Sequence, residues 1–399
     1  MASHRNNSPA HSLFMLNCQK NNFDLEPGVH YLNGAYMSPL SNRVEAAGLE
    51  AVSRKKRPYL ITPEDFFTDV KRLKSLFAQL VNAPKAEQIA LIPSASYGIA
   101  TVAKNLSTHS GQNIVVLDAQ FPSNLYSWRE LAKERQLQIT TVAYPAELTE
   151  HRGAEWNQRV LESIDRQTVM VTMAHVHWAN GSRFDLAAIS ARCKEVGAKL
   201  VIDGTQSVGA LPFDVQALGV DALICAGYKW LMGPYALGYA YFSETFQDGK
   251  PLEENWIARK NAEDFRGLVD YQDEYQHGAT RYDMGEKSNF IHVPMAIEAL
   301  SQLLDWGIDN IQAYCQQLTA QAVDTWRQHG YWVEDPQWRG GHLFGIQVPA
   351  GMPAESLLNC LKERQVFVSV RGDFVRISPN VYNDAADIEV LTEVLVGMK

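Results

Sequence analysis

A single lysine in the stretch AGYKWLMGP (residues 226–234) closes the apolar run DALICAGY, between a tyrosine and a tryptophan. Lysines are rarely buried without a partner, because stripping water from an ammonium is costly. Two readings compete for Lys229: it turns outward at a strand end, or it is held as a neutral amine that acts as nucleophile and base. The preceding apolar run, in VIDGTQSVGALP, is closed by Asp203, where an unpaired charge would be destabilised and a protonated ring nitrogen would suit it. Read alone, Asp203 is equally a helix N-cap. Gln206, three residues on, offers a donor and an acceptor on the same side. PSASYG (93–98) opens a helix with Ser94 and Ser96, good N-cap types whose small side chains let backbone N–H groups reach an anion. Phe121 in DAQFPSNLY stands just past a strand, either in the core or stacked on a flat ring. An anion cradle, an aromatic plate, a carboxylate and a lysine are together the parts that hold pyridoxal 5'-phosphate.

These residues need a scaffold that brings strand ends together. From QIALIPS to GYAYFSE the chain alternates short β-favouring runs with amphipathic stretches such as SYGIATVAKNL, NLYSWRELAKERQ and DLAAISARCKEVG. That pattern predicts a mainly parallel sheet wrapped by helices, with ligands bound beyond the carboxyl ends of the strands. After residue 290 or so the texture changes to two long helical stretches, then HLFGIQVP, AESLLNCLKERQ, VFVSVRGDFVRIS and a terminal helix, which predicts a smaller α+β unit. The expected organisation is an N-terminal segment (1–40) packing on the small unit, a large cofactor-binding unit (41–290) and the small unit (291–399).

Charge and composition exclude several classes. With a net charge of -9 and 20% charged residues, the chain lacks the uniform basic footprint of a nucleic-acid binder. The basic run SRKKR (53–57) reads as a solvated face. Five scattered cysteines without a CxxC argue for a reducing compartment and against a disulfide framework or a zinc cluster, so no metal is expected. The first 25 residues hold no sustained apolar leader, and no run is long enough to span a bilayer, so the expectation is a cytoplasmic protein without a membrane partner.

DGTQSVGALPFDVQALGVDALICAGYKWLMGP, with YLNGAYMSPL before it and RISPNVYND after it, resembles the class V aminotransferase family. The resemblance implies the α/β fold of fold-type I pyridoxal-phosphate enzymes: a large domain with a mainly parallel seven-stranded sheet and a smaller α+β C-terminal domain. It makes Lys229 the Schiff-base lysine, pairs Asp203 with the pyridine nitrogen and sets Gln206 near the ring oxygen or the Schiff base. Ala95 (through its backbone) and Ser96 match phosphate contacts, Asn180 in HWANG a polar contact to the cofactor, and Arg376 in VRISP the arginine that receives the substrate α-carboxylate. Tyr228 before the lysine and Phe121 resemble kynureninases, where desulfurases usually carry histidines. The tryptophan–glycine–histidine segment of kynureninases has no counterpart in NWIARKNAEDF.

The family also implies a homodimer in which a partner loop completes the phosphate site. GEKSNF (285–290) holds that position, with Ser288 and Asn289 as candidates and Glu286 expected to point away. The desulfurase cysteine sits on a loop before the arginine, but here only four residues separate Arg371 from Arg376, and Cys360 is expected to be a core thiol. The resemblance thus implies a Cβ–S or Cβ–C lyase acting on an α-amino acid. An aminotransferase or epimerase, or a non-catalytic binder of the cofactor, stands as the alternative.

Overall fold

The structure is a computed structural model and describes residues 16–147, 149, 151–349 and 354–398. Of the N-terminal segment expected to pack on the small unit, and of the stretch searched for a leader, residues 1–15 lie outside the described residues.

The alternating runs form one seven-stranded sheet, in the order Ile89–Ile92, Gly238–Phe242, Ala222–Ala226, Lys199–Asp203, Thr168–Ala174, Asn113–Leu117 and Gln138–Val142. Only Gly238–Phe242 runs antiparallel to its neighbours. The inner strands are buried along nearly their whole length and mostly apolar because helices cover both faces. The edge strand Gln138–Val142 mixes polar and apolar residues and is partly exposed.

Helices Ala95–Asn105 and Tyr126–Arg135 cover one face through Ile99, Val102, Trp128 and Leu131. Gly98 lets the first of these approach closely, since a Cβ there would lie 2.9 Å from side-chain carbons of Ile224. On the other face, helices Thr68–Leu80, Arg152–Ser163, Leu186–Val196 and His292–Trp306 close a core containing Leu73, Phe77, Trp156, Ile189 and Leu300. Each such side chain contributes roughly 1.5–3 kcal/mol when fully buried.

Beyond the helices His292–Trp306 and Ile308–Gln328 lies a four-stranded antiparallel sheet, in the order Ser369–Arg371, Phe374–Ile377, Phe344–Gln347 and Trp332–Val333. It packs with helices Ala354–Glu363 and Ala385–Gly397 around Trp326, Phe344, Leu357 and Leu391. His30–Tyr31 pairs with Val366–Phe367, and Asn33 bridges to Ser378. Residues 33–38 then cross to the lysine loop, where Ser38 N–H donates to the carbonyl of Tyr228 at 3.2 Å. Among the described residues, no helix is long and apolar enough to cross a membrane.

Candidate active site

Strand ends build the site. Ala222–Ala226 is fully buried and breaks at Gly227, where a Cβ would lie 2.4 Å from the carbonyl oxygen of Leu237. The segment that follows holds Met232 and Ala236 at φ 52° and 62°, left-handed conformations that cost about 1–2 kcal/mol per non-glycine residue. This tight turn directs Lys229 inward: it is 6% exposed, with Nζ 5.4 Å from the Phe121 ring centre and 5.6 Å from that of Tyr228.

Three lysines of the described chain are buried. Lys74 and Lys287 both clamp Asp283, at 2.7 and 2.8 Å, whereas Lys229 has no acid within ion-pair distance. Burial pushes the Lys229 ammonium down to about 8; Asp203 opposes the shift, while Arg376 and Arg371 add to it. The lysine is therefore an inward, desolvated amine.

Asp203 ends Lys199–Asp203, buried, and accepts the Thr205 N–H at 3.0 Å. Burial raises its pKa, with Thr205 and Lys229 holding it back. It lines the same cavity as Lys229, of about 310 Å³. Ser94, Ala95 and Ser96 form the cavity's anion-facing end. There Ser94 Oγ caps Tyr97 N–H and lies 2.9 Å from Ser96 Oγ, and the first-turn N–H groups of Ala95 and Ser96 have no intrahelical partner. Phe121 is held by its loop: Asn124 accepts from both Trp128 and Thr172, and its carbonyl accepts from Gln120 at 2.6 Å. Tyr228 and Gln206 complete the wall. Gln206 spans it, donating to Ala35 O at 3.1 Å and accepting from the Trp230 indole at 2.8 Å.

Arg376 lies behind Trp178, 1% exposed, and its Nη1 donates to the Trp178 carbonyl at 2.8 Å. Its Nε and Nη2 are buried without a partner, and no acid pairs with it among the described residues. Burial and Arg371 bring its pKa down to about 10. A buried guanidinium with two unmet donors has the fork geometry that suits a carboxylate.

Three expected contacts stand elsewhere. Asn180 does not line the cavity; its side-chain oxygen is committed to His177 Nδ1 at 3.1 Å and to Ser182 N–H at 3.0 Å. The local chain carries the Trp178 indole to the wall instead, with its N–H on Ala119 O at 2.7 Å. His177 is buried, brought down to about 4 by desolvation, and anchors this loop as a neutral ring. Ser288 and Asn289 line a separate cavity of about 340 Å³ with Glu286. There Ser288 donates to Phe66 O at 2.6 Å, and Asn289 caps the helix at Ile291 and His292. Within one chain they do not reach Lys229. Sequence reasoning also passed over Trp178, Thr205 and Arg371; the two-residue turn between the strands, which sets Arg371 on the face of Arg376, could have found the last. A larger groove, about 1470 Å³ beside Arg183, Phe213 and Trp306, holds none of these groups, so size alone does not mark the site.

A model of the family "Aminotransferase class-V" matches residues 62–391. The chain belongs to the class V aminotransferase family, and it is a pyridoxal-phosphate enzyme. It is 27% identical to an uncharacterized aminotransferase of Bacillus subtilis, over 77% of this chain and 78% of that one. It is 25% identical to a probable cysteine desulfurase of Methanothermobacter thermautotrophicus, over 80% of each chain. With isopenicillin N epimerase of Amycolatopsis lactamdurans the identity is 23%, over 93% of this chain and 95% of that one. The cysteine desulfurase CsdA of Escherichia coli shares the fold at TM-score 0.79 and 18% identity, covering 95% of this chain and 97% of that one.

The cavity fits the cofactor on its own chemistry. A helix N-terminus with free N–H groups suits the phosphate, a buried carboxyl suits the ring nitrogen, and an unpaired desolvated amine suits the aldehyde.

Proposed function

We propose that this protein is a pyridoxal-phosphate-dependent lyase that breaks a Cβ–S bond of an α-amino acid. One observation carries the reading: an acid-free buried lysine and a buried aspartate share a cavity, and a buried guanidinium with two unmet donors stands behind its wall. Ala95 and Ser96 would hold the phosphate through backbone and hydroxyl, Phe121 would offer its face to the ring, Asp203 would keep the ring nitrogen protonated, and Gln206 and Tyr228 would bound the same cavity. When bound, the cofactor supplies an electron sink for charge developing at Cα. Lys229 takes the Cα proton as the neutral amine that its burial favours, and Arg376 holds the α-carboxylate in a fixed fork. The β-substituent then leaves with the electron pair of its bond to Cβ.

No cysteine completes a persulfide relay. Only Gly372 and Asp373 separate the strands ending at Arg371 and beginning at Phe374, and Cys360 lies on helix Ala354–Glu363, against the small sheet's core. Sulfur therefore leaves as a free thiol or sulfide species. The Methanothermobacter relative's name supports carbon–sulfur chemistry, and the Bacillus relative's name supports transamination as the second reading.

The working unit is a homodimer with residues 41–290 as the cofactor-binding domain and 291–399 as the small one. The cavity mouth supports this: Phe121 and Tyr235 line it while 38% and 63% exposed, and Tyr36, Met37 and Leu40 are exposed in the segment that reaches the lysine loop. Ser288 and Asn289 serve the partner's site. Free cysteines throughout the described residues support a cytoplasmic setting.

Incubating the holoenzyme with pooled L-amino acids tests the reading. Pyruvate-type products formed without a keto acceptor support the lyase, and acceptor-dependent turnover replaces it with an aminotransferase. Unchanged amino acids leave only a cofactor-binding protein.

A further inference from the structure

Arg371 has no role in the chemistry above, yet it stands beside it. In the hairpin, Arg371 pairs with Phe374 and Ser369 with Arg376. The pleat therefore puts both arginines on one face as diagonal neighbours, a spacing of roughly 7–8 Å. Trp178, in the cavity wall, is held by both: its carbonyl by Arg376, and its ring by the Arg371 guanidinium, 5.6 Å from the ring centre.

Arg371 is half-buried, and among the described residues it donates to the carbonyl of its neighbour Val370, at 2.7 Å. No Asp or Glu among the described residues forms an ion pair with it. The cavity lining holds one cation, Lys229, and one carboxylate, Asp203, and both arginines stand against Trp178 behind that lining. Asp203 is taken by the ring nitrogen and Arg376 by the α-carboxylate, which leaves one guanidinium fork without an anion.

We infer that Arg371 receives a second anionic group, so that the substrate is an α-amino acid whose side chain ends in a carboxylate or a similarly shaped oxyacid beyond the bond that breaks. This rests on the proposed amino-acid reading and narrows it to a substrate class. Arg371 is then a specificity-determining residue.

The test compares S-carboxymethylcysteine with S-ethylcysteine, which share the Cβ–S bond and differ in the distal charge. It adds calorimetric titration of the holoenzyme with succinate and butyrate, which needs no turnover. A charge-assisted contact predicts about ten- to hundredfold preference for the acidic member of each pair. Arg371→Gln should erase that preference, and Arg371→Lys should restore part of it. Equal binding of succinate and butyrate by the wild-type protein would overturn the inference, as would an Arg371→Gln variant that weakens acidic and neutral compounds alike. Should Arg371→Gln fail to fold, the wild-type preferences and Arg371→Lys decide. If neutral amino acids alter the cofactor's absorbance and acidic ones gain nothing, only the Arg371 assignment falls. If no amino acid alters it, the amino-acid reading falls and takes this inference with it.

Discussion

At the scale of residues, what separates Lys229 from the other buried lysines is the lack of an acid. Lys74 and Lys287 share Asp283, so their charges are matched in place, whereas Lys229 meets only aromatic faces and a more distant carboxylate. Its folded-state pKa, about 8, lies below the ordinary 10.5. Covalent capture of the cofactor by the apoprotein should therefore rise with pH through about 8 and level off above it, measured as absorbance change against pH. The sign for stability is the same: between about 8 and 10.5 the unfolded chain binds the extra proton, so this group's contribution to stability rises with pH. Arg376→Lys retains the charge and loses the fork, so kcat/KM should fall about ten- to over a hundredfold. The cofactor spectrum and melting temperature should move little, since the charge is retained and Arg376 does not line the cofactor cavity. Lys229 and Asp203 stood out in the sequence because each is a charged residue closing an apolar strand, whereas Arg376 came from the family resemblance. The direction of Asn180 was not legible, because a polar residue in a loop after a strand has several directions open, and here its oxygen meets His177 and Ser182.

At the scale of elements, the site depends on how closely helix Ala95–Asn105 lies on the sheet. Gly98 sets that distance against Ile92 and Ile224, so the helix N-terminus and its phosphate-facing N–H groups are placed by packing one turn away. Gly98→Val should lower unfolding stability by about 1–3 kcal/mol through overpacking. It should also weaken cofactor affinity, measured by dialysis against pyridoxal phosphate, although residue 98 does not line the cavity. Equal affinity in a destabilised variant would show that the helix position does not control the cradle. The strands and helices themselves were legible because short β-favouring runs alternate with longer amphipathic stretches of helical period. The antiparallel course of Gly238–Phe242 was not, because a buried strand reads the same in either direction.

At the scale of the molecule, a single chain leaves Ser288 and Asn289 in a cavity apart from Lys229. The proposed join lies between chains, where no spacing rule within one chain reaches. A dimer should sediment at twice the monomer mass. Mixing Lys229→Ala subunits with subunits carrying Ser288→Ala and Asn289→Ala should restore activity that neither variant has alone. A fully active monomer, or no complementation in a mixed dimer, would remove the loop from the site.

The account as a whole turns on one amine, and reduction of the holoenzyme with borohydride tests it most directly. The expected result is a cofactor mass fixed to the peptide containing Lys229, absent from Lys229→Ala. A label on the peptides of Lys74 or Lys287, or no label on any peptide from a protein saturated with pyridoxal phosphate, would contradict it.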